Sequence, residues 1–365
     1  MAKDYKINLP AHPNIYSNDE ARDFNIYFSE PDEEVNKETG LLLLIPGFGG
    51  DANSNVYKKM RADFADKYNL VTVQCDYFGQ EFMQDTKSLK LNIDKDFLYQ
   101  NLSSGEYNQI YGKSFNVNKF LEIGSKYKIN VSGKEEISET ATNYNDMGIM
   151  QAIDNLTALH YVVKIIEDNN FEFNTKKIIV FGQSHGAYLS YLCNALSPGL
   201  FSLIIDNSSW LFPQYLTSSR FLTRQYGEMK IQIEFDYHAR KLEYDDEFLN
   251  LVSLYSKFEN KCVIEVYHGT EDKLISSEQK EDFCREIKSC MYNEISSENI
   301  DGEIFKSAGH GLQADFIKLF DKVINNHAFE FSTVMNLKDS VIATSKYNYQ
   351  VNYKNGVPIL TTQVK

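Results

Sequence analysis

The chain of 365 residues is short of positive charge: 37 lysines and arginines stand against 51 aspartates and glutamates, a formal net charge of −14. Long-range electrostatics of that sign repel nucleic acid and anionic membrane surfaces, so neither is an expected partner. Long apolar runs are missing too. The longest, LLLLIPGF at 41–48, is far shorter than the roughly 20 residues a membrane helix needs. The N-terminal MAKDYKINLPAHPN lacks the apolar core of a secretion signal. No G-x-G-x-x-G, phosphate-binding loop, internal repeat or low-complexity linker occurs. The five cysteines, Cys75, Cys193, Cys262, Cys284 and Cys290, form no C-x-x-C pair, and no His/Cys spacing suggests a metal site. They read as reduced thiols serving as small apolar residues, which fits a cytoplasmic protein with neither metal nor cofactor. The N-x-S/T triplets at Asn101 and Asn155 then read as chance matches.

What the chain does have is 42% hydrophobic residues, arranged in short runs. YKINL and DFNIYFSE alternate apolar and polar positions, as half-buried antiparallel strands do. GLLLLI and LVTVQC read as strands buried on both faces. Between them Val56, Met60, Phe64 and Tyr68 recur every four residues, the mark of one helix face. Strands alternating with helices predict a doubly wound, mostly parallel α/β sheet.

Residues 77–143 break that rhythm and read as an insertion of loops and short helices after the fourth strand. NDMGIMQAIDNLTALHYVVKIIEDN then predicts a long amphipathic helix with Asp146 near its first turn. Residues 210–255, rich in aromatics, form a second interruption in the place of a lid. IDGEIFKSAGHGL is expected to be the last strand and its loop, and ADFIKLFDKVINN a closing helix. At the end, Asn355-Gly356 between alternating runs is a hairpin signal, and Pro358 suggests an edge strand. The expected division is one domain over 1–327, with a C-terminal β-hairpin extension over 328–365 packed on it.

The stretch GQSHGAYLS at 182–190 stands between a buried strand and an apolar helix. Ser184 would sit on the sharp turn that joins them. A serine hydroxyl is a weak nucleophile at neutral pH, so chemistry there needs a base, a carboxylate to orient it and donors for an oxyanion. In a parallel sheet these groups come from loops at the C-terminal strand ends. Asp272 in HGTED and His310 in AGHG hold such positions, in the order Ser, Asp, His. Glu271 reads as solvated, and His268, ending a strand, as packing.

IPGFGG, FGQSHGA, HGTED and AGHG resemble the oxyanion loop, nucleophile elbow, acid loop and histidine loop of the α/β-hydrolases, over residues 41–325. The resemblance implies Ser184 as nucleophile, His310 as general base and acid, and Asp272 as the orienting acid. Asp206, after SLIID, is the rival acid, since some lipase-like members place theirs there. The N–H of His185, at a helix N-terminus, suits an oxyanion, and the resemblance nominates the N–H of Phe48 as second donor. PGFGG departs from the frequent HGG form of that loop. The layout around NDMGIMQAIDNL also resembles an uncharacterised bacterial hydrolase-like family encoded among flagellin-glycosylation genes, which implies acyl chemistry on a surface sugar or its nucleotide precursor.

Together these readings predict a serine esterase or acyl hydrolase, or an acyltransferase, acting on a small-molecule ester such as an acylated sugar. Trp210, Arg220 and Arg224, with Arg240, are the candidate substrate contacts, in a segment expected to fold over Ser184. The alternatives are a binding module on a hydrolase scaffold, or a peptidase. No propeller or other exclusion domain is visible for the latter, and nothing in the sequence sets the oligomeric state.

Overall fold

In the computed structural model, which describes residues 1–17, 20–84, 86–353 and 355–365, the apolar runs assemble into one eight-stranded sheet. Its strands are β1 (Lys3–Pro10), β2 (Asp23–Glu30), β3 (Gly40–Ile45), β4 (Leu70–Cys75), β5 (Ile178–Gln183), β6 (Leu203–Asn207), β7 (Val263–Gly269) and β8 (Cys290–Ile295). They lie in the order β1-β2-β4-β3-β5-β6-β7-β8. The β1-β2 and β2-β4 pairings are antiparallel and the others parallel. This is the doubly wound α/β-hydrolase sheet.

Its longer helices are α1 (Asn55–Tyr68), α2 (Ile149–Asp168), α3 (His185–Leu196), α4 (Ser277–Arg285) and α5 (Phe316–Ile324). On one side Met60 and Phe64 of α1 and Leu319 and Phe320 of α5 bury against Leu42 and Phe181 of the sheet. The Phe64 and Phe320 rings meet at 4.6 Å. α2 is not amphipathic but buried nearly all round. Asp146 acts near its N-terminus as expected, accepting from the Met150 N–H at 2.7 Å and the Gly148 N–H at 3.3 Å. Val56, only the second residue of α1, is 65% exposed and leaves the apolar stripe.

The last strand of this sheet is β8, not the run IDGEIF. There Asp301 accepts from the N–H groups of Glu303, Ile304 and Phe305, and Gly302 turns at φ +72°, so the backbone is spent on a turn. β8 is a half-exposed edge strand without a long apolar run, which hid it in the sequence. Its first residue, Cys290, forms a disulfide with Cys284 of α4, so these two are not the reduced thiols expected. Cys75, Cys193 and Cys262 are free and buried.

Contacts divide the chain into two units: Met1–Gln80, Asp146–Pro213 and Tyr244–Lys365 carry the sheet above, and Glu81–Asn145 with Gln214–Glu243 form the second. The second unit is not only loops and short helices. Strands Leu89–Asn92, Asn130–Glu135, Met229–Phe235 and Arg220–Tyr226 form its sheet in that spatial order, joining the two interruptions. Met229, Ile231, Ile233 and Phe235 are buried while Lys230 and Gln232 are exposed, the two-residue period of a half-buried strand.

At the C-terminus the hairpin is part of a three-stranded sheet of Ser340–Ala343, Tyr347–Asn352 and Ile359–Val364. Gly356, at φ +75°, closes its turn by donating to the Tyr353 carbonyl at 3.0 Å. Tyr353 donates its hydroxyl to Ser197 Oγ at 2.7 Å, tying this sheet to the end of α3. Among the described residues no helix is long and apolar enough to cross a membrane.

Candidate active site

Ser184 stands between β5 and α3 with φ 53° and ψ −117°, a backbone conformation a serine adopts only under constraint. The constraint is close packing. A Cβ added to Gly186 would lie 2.2 Å from the Ile45 carbonyl oxygen and 2.4 Å from that of Pro46, and one on Gly182 would lie 2.4 Å from the Ala187 nitrogen. Only glycine lets the first turn of α3 press against the loop after β3 and the end of β5.

The side chains of three strand-end loops meet at this turn. Ser184 Oγ lies 2.6 Å from His310 Nε2, and His310 Nδ1 lies 2.7 Å from Asp272 Oδ2. Asp272 follows β7, and its Oδ1 accepts from the Leu274 N–H at 2.8 Å and the Ile275 N–H at 3.3 Å. Burial works to raise the Asp272 pKa. The hydrogen bond and charge of His310 and the Leu274 N–H outweigh it, so the carboxyl is held below its ordinary value. An ionised Asp272 fixes the proton of His310 on Nδ1, and Nε2 is left to accept the serine proton.

Asp206, the other candidate acid, ends its strand elsewhere. It pairs with Lys280 of α4 at 2.7 Å and accepts from the Tyr191 hydroxyl at 2.8 Å and the Ser209 N–H at 2.7 Å. His268 is buried and donates Nε2–H to the Ile275 carbonyl at 3.0 Å. Its Nε2 lies 3.6 Å from Asp272 Oδ2, and burial, then the Lys280 charge, lowers its pKa. A neutral His268 therefore packs beneath the acid loop rather than competing with His310.

The Ser184 N–H is occupied, donating to the Asn207 carbonyl at 2.8 Å. His185 is the first residue of α3, and first-turn N–H groups have no acceptor within the helix. Phe48 lies in the loop after β3, where Gly50 N–H donates to the Gly47 carbonyl at 2.8 Å. The His185 ring is fully buried, 4.9 Å from Trp210 and 5.3 Å from Phe48. Burial lowers its pKa to about 3, so it stays neutral as part of this aromatic wall.

Arg220 and Arg224 belong to the second unit and bind there. Arg220 donates to the Met83 carbonyl at 3.2 Å and to Gln84 at 3.3 Å, Arg224 to Thr86 at 3.2 Å. Arg240 pairs with Asp236 at 2.9 Å. Sequence reasoning missed Lys280, which stands among charged residues in SEQKEDF. It also missed Asn207 and Ser208, which join the elbow to the histidine loop. Among the described residues no group of three or more His, Cys, Asp or Glu could hold a metal.

No curated protein sequence matches the chain. Solved structures do. Est1E from Butyrivibrio proteoclasticus with ferulic acid bound is 14% identical over 83% of this chain and 94% of its own, at a TM-score of 0.45. An acylaminoacyl peptidase in complex with a chloromethyl ketone is 11% identical over 91% of this chain and 43% of its own, at 0.50. An alpha-beta serine hydrolase homologue from Coxiella burnetii is 15% identical over 89% and 97%, at 0.41. At 11% identity the likeness to the peptidase speaks for the fold alone. A family model covers more than half of the sequence, residues 19–244, and the chain thus belongs to the family described as protein of unknown function (DUF2920).

Proposed function

We propose that the protein is a serine esterase that removes a small acyl group, acetyl above all, from a carbohydrate hydroxyl, or transfers it to another. The observation that carries the reading is the unbroken relay of Ser184, His310 and Asp272 at 2.6 and 2.7 Å. In the reaction Ser184 Oγ adds to the ester carbonyl while His310 Nε2 takes its proton. The carbonyl becomes an oxyanion facing the N–H groups of His185 and Phe48. Collapse breaks the bond to the alcohol oxygen, to which His310 returns the proton, and leaves an acyl-serine. Water, or a second sugar hydroxyl in the transferase variant, then attacks that ester by the same route in reverse.

Two features support the carbohydrate half of the reading: the partly exposed ring of Phe48 in the loop after β3, backed by the buried rings of His185 and Trp210, and the resemblance of the sequence layout to glycosylation-linked hydrolases. Aromatic faces suit sugar rings and short acyl chains. Arg220 and Arg224 have acceptors inside their own unit, so a neutral sugar serves as well as an acidic one.

The test has two layers. A fluorophosphonate probe should label the protein once, at Ser184, and Ser184→Ala should abolish labelling and ester turnover with the fold intact. Incubation with O-acetylated sugars, long-chain esters and peptides, followed by mass spectrometry, should then show fastest release from a sugar. Faster release from long-chain esters or peptides would sink the carbohydrate reading and leave the serine chemistry standing.

A further inference from the structure

The loop after β6 touches both halves of the relay. The Asn207 carbonyl accepts from the Ser184 N–H at 2.8 Å. The Asn207 side chain donates Nδ2–H to the Gly311 carbonyl at 3.3 Å, and Ser208 Oγ accepts from the Gly311 N–H at 3.1 Å. Gly311, next in the chain after His310, thus has both backbone polar groups taken by this one dipeptide. The dipeptide is itself fixed: Ser208 donates its hydroxyl to Asn207 Oδ1 at 3.3 Å, and its N–H goes to the Tyr267 carbonyl at 3.0 Å. Asn207 and Ser208 are both fully buried, and Ser208 holds φ at +58°, a strained value for serine.

We propose that Asn207 and Ser208 are positioning residues for the hydrolytic reaction, a clamp that sets the Ser184–His310 distance by gripping the nucleophile's backbone and the histidine loop together. The inference rests on the serine-esterase reading above. Neither residue reaches the reacting atoms, and neither donates to the oxyanion. Their action is geometric. A base displaced by about 1 Å from its nucleophile can cost on the order of 100-fold in rate.

A positioning role and a merely structural one part company in a double-variant comparison. Ser208→Ala removes the acceptor for Gly311, and Ser208→Gly does the same while relieving the positive φ. Fluorophosphonate labelling rates are measured for each variant in the unaltered chain and in a His310→Ala background, beside thermal midpoints. In the unaltered chain both variants should slow labelling by about 10- to 100-fold. In the His310→Ala background the same changes should slow it less than about twofold, because no histidine remains to be positioned. Equal slowing in both backgrounds, or none in the first, overturns the clamp. If Ser208→Ala lowers the midpoint, Ser208→Gly decides by the same comparison. An unaltered chain that is never labelled would overturn the esterase reading and the clamp with it. Labelling at Ser184 that ignores both Ser208 variants removes the clamp alone.

Discussion

Asp206 and Lys280 pair at 2.7 Å with no side-chain surface exposed on either, immediately before the dipeptide that grips Ser184 and Gly311. Burial alone would raise the Asp206 pKa. The Lys280 charge and hydrogen bonds from Lys280, Tyr191 and Ser209 hold it below its ordinary value. Removing one partner leaves a buried charge alone, which typically costs about 3–5 kcal/mol. Asp206→Asn should therefore lower the thermal midpoint strongly. Adding Lys280→Met to it should recover a large part of the loss. A midpoint that Asp206→Asn leaves unmoved would deny the pair any structural weight.

The two carboxylates should separate cleanly by assay. Asp272→Asn keeps the shape of the acid loop but leaves His310 without the partner that holds its proton on Nδ1. Ester kcat should fall by roughly 10⁴-fold with only a small change in midpoint. Asp206→Asn, assayed where it is still folded, should lose far less. The reverse ranking in kcat would move the orienting acid to the end of β6.

The elbow and its partners were legible because each follows a buried apolar run, and such runs mark strands whose ends share one edge. Ser184, Asp272 and His310 do meet there, although 126 residues separate the first and last. What stayed hidden depends on distant partners. Lys280 sits among charged neighbours in α4, and its partners, Asp206 of β6 and the Tyr191 ring of α3, are more than 70 residues away in the chain. The second unit's sheet pairs residues 130–134 with 230–234, a parallel match a hundred residues apart that leaves no local trace. β8 went unread because an edge strand needs only one apolar face.

Asp146 gives the fold a pH dependence of known sign. Burial raises its carboxyl to about 6, against the opposing hydrogen bonds of Met150, Gly148 and Tyr16. Unfolded, the group releases its proton near about 3.9. Its contribution to stability is therefore complete below about pH 4 and lost as pH rises through about 6. Asp146→Asn removes that loss. Unfolding free energies measured from pH 4 to pH 7.5 should show the variant gaining on the parent by up to about 3 kcal/mol across the window. Parallel curves for the two proteins would mean that Asp146 is already ionised throughout.

The elbow's tight packing makes Gly186 the position where the smallest change should have the largest effect on chemistry. A methyl there would sit 2.2 Å from the Ile45 carbonyl oxygen and 2.4 Å from that of Pro46, both backbone atoms at the root of the loop that carries Phe48. Neither can swing aside as a side chain would, so α3 and the β3 loop must part. The two N–H groups assigned to the oxyanion lie one on each side of that contact. Gly186→Ala should thus weaken oxyanion stabilisation, and loss of one such donor typically costs about 10²–10³-fold in kcat. KM should change much less, because the donors act most strongly on the transition state. Steady-state kinetics on a soluble acetyl ester, with circular dichroism to confirm folding, make the comparison. A rise in KM at constant kcat would locate the oxyanion donors away from this contact and remove Phe48 and His185 from that role.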